Sequence, residues 1–242
     1  MSKVVTIEEA VSVVKTGSSL MTNGFLGISA PIKLIEGLVE AGTDELTLIQ
    51  PVMSFPMEEH DVSLLAVNKQ LKKIIAAHVG TSREITKQYF AGDLEIEFIP
   101  MGTISEAIHA AGAGLGGVLT PVGIGTMQED DHDKIVRNGK EYLIYDPIGA
   151  DVAFIKANKA DKDGNLYFHG TSKSLSLEMA LAAKTVVAEV DEIVEVGEID
   201  PTDVYVPGML VDHIVQGLNP EERHDYYKEL WDSHHLLAKG GN

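Results

Sequence analysis

The sequence predicts an α/β fold: a mostly parallel sheet flanked by helices, with added β-hairpins. Three observations predict it. Short apolar runs of strand length alternate with amphipathic helical stretches from Thr6 to Gly112. Such alternation with short loops implies a parallel sheet covered by helices. Helix-capping patterns stand at Thr6, Thr81 and Thr103, where a hydroxyl three residues before Glu opens a helix. The second half changes character, with strand-like runs straddling Asn138-Gly139 and Asp163-Gly164-Asn165, and Asn-Gly is the strongest short hairpin signal.

Thr6-Ile7-Glu8-Glu9 opens a helix through Val14. Leu20 and Met21 close a short apolar run that reads as a buried strand, which Asn23 and Gly24 break. Gly24 and Gly27 can take positive φ, so the chain can turn sharply and a ligand can approach the backbone. Pro31 fits the first position of a helix. Ala30 is then the N-cap, and alanine caps poorly. The first N–H groups of that helix are left for water or an anion. Asn23, Gly24, Phe25, Leu26, Gly27, Ile28 and Ser29 thus line a possible anion cradle. The plainer alternative is an ordinary tight turn between strand and helix.

Pro31 to Ala41 is amphipathic, with Leu34, Ile35 and Leu38 on one face. Glu45 to Ile49 is a strand, Gln50 to Pro56 an irregular loop, Asp61 to Asn68 a short helix and Lys73 to Ala77 a strand. Thr81-Ser82-Arg83-Glu84 opens a helix to about Ala91, and Leu94 to Ile99 is a strand. Thr103-Ile104-Ser105-Glu106 opens a helix ending in Gly112. Val118 to Thr120 is apolar, and Lys134 to Arg137 pairs with Glu141 to Tyr145. Asp151 to Ala160 pairs with Leu166 to Phe168, Leu177 to Ala183 is helical and Thr185 to Val190 is a strand. Asn219-Pro220-Glu221-Glu222 opens a last helix through about Leu237.

The chain has 242 residues, enough for a sizeable core. With 37 acidic against 19 basic residues its formal charge is −18. That balance argues against nucleic acid, whose phosphates need Lys and Arg, and weakly against anionic membranes. The sequence holds no cysteine, so thiolate chemistry, disulfides and Cys-based zinc sites are excluded. No leader pattern or membrane-length apolar run stands out. A reducing cytoplasm is the expected compartment.

Several motifs dissolve in context. Gly27-Ile28-Ser29-Ala30-Pro31 nearly matches a nucleophile elbow, but Pro31 replaces the last glycine. Gly112-Ala113-Gly114-Leu115-Gly116-Gly117 contains G-x-G-x-x-G, yet follows a helix and precedes a strand, the reverse of a dinucleotide cradle. Glu129 to Asp133 reads as a solvated acidic turn. Asp161-Lys162-Asp163-Gly164-Asn165 lacks the glycine and closing glutamate positions of a calcium loop. His234 and His235 are adjacent and point about 100° apart on a helix, so they cannot form an i, i+4 metal pair.

The run from Gly17 to Pro31 resembles the α-type signature of the family I coenzyme A transferases. Gly17, Leu20, Met21, Gly24, Phe25 and Pro31 sit in register with it, while Thr16, Thr22, Asn23 and Ser29 depart. Ala110 to Gly117 followed by Thr120 to Thr126 is similar to the family's glycine-rich segment. Lys156-Ala157, Asp161 and Gly164-Asn165-Leu166 resemble a further element, as do Ala182 to Glu195 and Pro207 to Asp212. The resemblance spans about Thr6 to Val215. It implies a domain over 1–217, with 218–242 a C-terminal helical extension.

The resemblance implies transfer of CoA from an acyl-CoA to a short-chain carboxylic acid. It implies a covalent route in which a glutamate attacks the thioester. In the family that glutamate lies in a Glu-Asn-Gly-like motif of the β-type half, which this chain lacks. The expectation is therefore no catalytic residue here, no permanently bound cofactor, CoA thioester as substrate, and a β-type partner subunit in an α2β2 assembly. The Asn23 to Ser29 loop is expected at the CoA or acyl site. Pro51, Val52, Met101 and Gly102 are expected to wall the acid pocket. Pro51, Val52 and Met101 stand where family members acting on 3-oxo acids carry amides, so the resemblance implies that a saturated acid should outperform acetoacetate. Two other classes compete: a serine hydrolase using Ser29, and a non-catalytic effector-binding domain of a related fold.

Overall fold

Leu20 and Met21 are adjacent in one strand and both fully buried, so that strand must have a core on each side. The computed structural model describes residues 2–53, 55 and 59–235. Ser54 and Pro56 of the expected loop, and the expected helix end at Leu237, lie outside them.

In chain order the elements are α1 (Ile7–Val11), β1 (Ser19–Thr22), α2 (Ile32–Ala41), β2 (Leu46–Ile49), α3 (Ser63–Val67) and β3 (Leu71–Ala76). Then come α4 (Arg83–Ala91), β4 (Glu95–Phe98), α5 (Met101–Gly112), β5 (Val118–Thr120), β6 (Lys134–Arg137) and β7 (Lys140–Tyr145). The last are β8 (Ala150–Asp161), β9 (Leu166–Tyr167), α6 (Ser176–Ala182), β10 (Ala183–Val194), β11 (His213–Gln216) and α7 (Pro220–Ser233).

The main sheet runs β11-β10-β8-β1-β2-β3-β4, and every neighbouring pair along that path is parallel. Leu20 lies between Leu48 and Val152 in register. Those three face one core with α1, α2 and α3 residues, while Met21, Ile49 and Ala153 face a second core with α5 and α6 residues. The expected mostly parallel sheet with helices on it is thus present. β9 folds back antiparallel on β8, and β5-β7-β6 form a small antiparallel sheet. Asn138 and Gly139 both take positive φ, at 52° and 74°, the turn that matches strand twist.

Helix starts differ from the expected ones in three places. Thr6 and Asn219 make full capping boxes as read. Ser82, not Thr81, caps α4, because the Glu59 carboxylate accepts from both Ser82 Oγ and the Glu84 N–H at 2.8 Å and fixes the turn one residue later. Thr103 is buried inside the first turn of α5, which starts at Met101 straight after the extended Pro100. Pro31, not Ala30, is the N-cap of α2. Strand β11 has no strong sequence signature, being too short to show a period.

The run Asp161 to Asn165, read as a turn, is one and satisfies its own polar groups. Asp161 Oδ1 accepts from the N–H groups of Asp163 and Asn165 at 3.1 and 2.9 Å, and Oδ2 accepts from Asn165 Nδ2 at 2.8 Å. Asn165 Oδ1 in turn accepts the Gly208 N–H at 2.9 Å. A Cβ at position 208 would stand 2.4 Å from the Asp163 carbonyl, so only glycine fits.

Candidate active site at the glycine turn

The carboxyl ends of β1 and β8 point to one rim, where parallel α/β sheets bind ligands. Asn23 is buried there. Its Nδ2 donates to Ser176 Oγ at 2.8 Å and its Oδ1 accepts the Lys156 N–H at 3.3 Å, which ties β1 to β8 and α6. Gly24 follows at φ 145°. Phe25 and Ile28 then exchange two backbone hydrogen bonds of 3.0 Å. The residues between them, Leu26 and Gly27, take φ 51° and 83°, and Ser29 takes φ 62°. Leu26 and Ser29 hold a left-handed backbone without being glycine, a strain that gathers at functional sites. Phe25 and Ile28 stand 56% and 47% exposed at this tip.

The turn is held from below and above. A Cβ at Gly27 would sit 3.5 Å from Phe55 and 3.6 Å from Asp61 Oδ2. Burial pushes the Asp61 carboxyl up to about 8. Tyr227 of α7 donates its hydroxyl to the Gly27 carbonyl. Burial raises that phenol above its usual value.

The expected open helix start is not open. Glu189 of β10 is fully buried, and its Oε2 accepts the Leu34 N–H in the first turn of α2 at 3.0 Å. The chain's own carboxylate occupies the place read as an anion cradle. Burial pushes Glu189 up to about 7.

Glu189 is the register partner of Lys156 on β8. Lys156 is also buried and pairs with Asp191 at 2.7 Å. Arg223 of α7 reaches the same Asp191 oxygen at 3.6 Å and lies 5.2 Å from the centre of the Tyr227 ring. Burial first, then repulsion from Arg223, bring Lys156 down to about 8. A cavity of about 260 Å³ opens between these groups and the glycine turn. It is lined by Ile28 and Ser29 of the turn, Lys156 and Asn158 of β8, Ser172, and Arg223, Tyr227 and Trp231 of α7.

Of the residues singled out in the sequence, Ile28 and Ser29 line this cavity, while Pro51, Val52, Met101 and Gly102 do not. Pro51 and Val52 follow β2 and are buried. Met101 and Gly102 open α5 beyond β4 and are exposed. Strand β3 separates the two pairs, a gap of about 10 Å at ordinary strand spacing. Sequence reasoning missed Gln50, whose Nε2 would lie 3.4 Å from a Cβ at Gly24. It also missed Lys156, Glu189 and the α7 residues. The signal for the first two was present: an ionisable residue interrupts each of the apolar runs Val152 to Ala157 and Val186 to Val190.

Residues 4–217 match the family model described as coenzyme A transferase. The chain belongs to the coenzyme A transferase family. It is 40% identical over 215 residues to the acetoacetyl-CoA:acetate/butyrate CoA transferase alpha subunit of Clostridium acetobutylicum, covering 89% of this chain and 98% of that one. It is 37% identical over 214 residues to the acetate CoA-transferase subunit alpha of Escherichia coli K12, covering 88% and 96%. Glutaconate coenzyme A-transferase from Acidaminococcus fermentans shares the fold, with a TM-score of 0.83 at 24% identity over 98% of this chain and 85% of that one. An acyl-CoA transferase from Escherichia coli O157:H7 superposes with a TM-score of 0.81 at 25% identity over 91% of this chain. The chain spans 47% of that enzyme's length.

None of these relatives is named as a serine hydrolase or an effector sensor, so neither alternative gains support. The coenzyme A transferase match also gives the Asp163 turn and Gly208 contact a context, since both lie in motifs that resembled the family. Helix α7 begins at Pro220, beyond the matched span, yet supplies Arg223, Tyr227 and Trp231 to the cavity. Among the described residues no helix is long and apolar enough to cross a membrane.

Proposed function

We propose that this chain is the α-type half of an enzyme that moves CoA between an acyl-CoA and a short-chain carboxylic acid, and that it acts with a β-type subunit in an α2β2 assembly. The observation that carries the reading is the Leu26-Gly27 turn at the carboxyl end of β1: strained, exposed at Phe25 and Ile28, and beside a cavity lined by the buried Lys156 and by Arg223. Both named relatives are alpha subunits that this chain covers almost end to end. A CoA thioester is the substrate, and no resident cofactor is needed. The absence of cysteine suits a reducing cytoplasm.

The reaction runs through the partner's glutamate. That carboxylate attacks the thioester carbonyl, the C–S bond breaks, and CoA leaves as thiolate with an anhydride left behind. The thiolate then attacks the glutamyl carbonyl and releases the first acid. The acceptor acid reverses both steps. This chain contributes the Asn23 to Ser29 loop, whose backbone N–H groups border the reacting thioester, and holds water away with Phe25 and Ile28. Pro51 and Val52 support the rim beyond β2. Met101 and Gly102 meet the thioester's longer arm further along it. Residues 1–217 form the transferase domain and 218–242 a C-terminal extension, whose helix α7 borders the cavity.

The test is to incubate the assembled pair with acyl-CoA and weigh each chain. A CoA adduct on the partner and none on this chain supports the reading. An adduct on this chain contradicts it.

A further inference from the structure

We propose that the cavity between the Leu26-Gly27 turn and α7 seats a short-chain carboxylate, its carboxyl group on Arg223 and its hydrocarbon chain against Ile28, Tyr227 and Trp231. This rests on the transferase reading and names where that reaction's acid lies. Three observations carry it.

The first is a guanidinium N–H group with no hydrogen-bond acceptor among the described residues. Arg223 Nη1 is a buried atom that donates no hydrogen bond among the described residues, with the Asp191 carboxylate standing off at 3.6 Å. Asp191 already pairs with Lys156 at 2.7 Å and accepts from Asn158 Nδ2 at 3.1 Å. Asp191 is thus shared between Lys156 and Arg223. A buried guanidinium N–H without an acceptor is costly, and the planar fork of the group matches a carboxylate.

The second is the wall. Ile28, Tyr227 and Trp231 give the cavity apolar lining beside the cations. Small-ligand sites combine such a wall with a few polar groups that fix orientation. The third is size. About 260 Å³ holds roughly eight water-sized groups, which a carboxyl group and a chain of about four or five carbons fill. All the groups named belong to this chain, so the seat exists without the partner. The competing account is that Lys156, Asp191 and Arg223 only fasten α7 to the sheet.

Trp231 is the only tryptophan in the sequence, and it lies in the cavity wall. Its fluorescence in the full chain is titrated with butyrate and with butylamine, which keeps the hydrocarbon chain and lacks the carboxylate. The expected result is a saturable response to butyrate alone, at least tenfold weaker in Arg223→Gln. No saturable response, an equal response to butylamine, or an undiminished one in folded Arg223→Gln overturns the proposal. In the assembled enzyme, kcat/KM is measured for acids from acetate to hexanoate. Trp231→Leu should move the optimum to a longer acid, and an unmoved optimum overturns the proposal even where Arg223→Gln fails to fold. CoA transfer by an assembled enzyme whose α chain ignores butyrate removes this seat and leaves the transferase reading standing. Butyrate binding without CoA transfer does the reverse.

Discussion

Glu189 Oε2 accepts the backbone N–H of Leu34 at 3.0 Å, so a strand residue closes the start of a helix 155 positions earlier in the chain. Lys156 and Arg223 attract the Glu189 carboxylate, but burial outweighs them and raises it to about 7. A folded-state value above the usual glutamate value means that the folded chain holds this proton more tightly than the unfolded one. The associated stability is present at low pH and is lost as pH rises from about 4.5 to 7, roughly 3 kcal/mol in all. Glu189→Gln keeps an acceptor for Leu34 and removes the titration. The difference in unfolding free energy between native and variant, measured in urea at several pH values, should fall by about that amount over this window. Asp61 shifts in the same direction in both proteins and cancels. A difference that stays constant with pH contradicts the assignment.

Tyr227 fastens α7 to the glycine turn through its hydroxyl on the Gly27 carbonyl. Tyr227→Phe keeps the ring beside Tyr226, at 5.5 Å between centres, and removes that bond. A loss of about 1 kcal/mol is expected. For a chain of this size that lowers Tm by about 2–4 °C. An unchanged thermal midpoint would mean that water replaces the hydroxyl at no cost.

Gly24 holds φ 145°, and a side chain there faces Gln50 Nε2. Gly24→Val adds both strain and bulk at the start of the turn. CoA transfer by the assembled enzyme should fall at least tenfold, about 1.4 kcal/mol of transition-state stabilisation, with assembly intact. Native kinetics in an intact complex would remove the loop from the reaction.

With the acid's chain placed against Ile28, Tyr227 and Trp231 as proposed, a saturated acid should be preferred over a keto acid. A keto oxygen buried against it loses roughly 1–3 kcal/mol, a ten- to hundredfold preference. Butyrate should exceed acetoacetate in kcat/KM by at least tenfold. Met101→Gln, at the far rim, should change KM for acyl-CoA by more than KM for butyrate. A preference for acetoacetate, or an effect of Met101→Gln confined to the acid, contradicts this placement.

The sheet was legible because strand signals and helix signals alternate locally, and a period of two or 3.6 needs only a few residues to show. Leu20 and Met21 illustrate it: two adjacent buried positions demand a core on each face. The hairpins were legible from Asn138-Gly139 and Asp163-Gly164-Asn165, where turn chemistry is local too. The site was legible only in part. Gly24, Gly27 and Ser29 announce a tight turn, but nothing near them says that Glu189 fills the helix start or that Tyr227 covers the turn. Those partners come from β10 and α7 and are brought in by the fold. Thr103 shows the converse error. Its capping pattern is genuine as a pattern, yet the extended Pro100 starts α5 earlier and buries the threonine. Of the acid-pocket residues inferred from the family resemblance, Pro51 follows β2 and Met101 opens α5 after β4, with β3 between those two strands.

The central claim is that this chain is half of a transferase whose nucleophile lies on a partner. It is tested by assaying CoA transfer from acetoacetyl-CoA to butyrate with the purified chain, with a β-type subunit, and with the two together. The account predicts no turnover from either chain alone and turnover from the pair. Full turnover from this chain alone, or none from a pair that assembles, would contradict it.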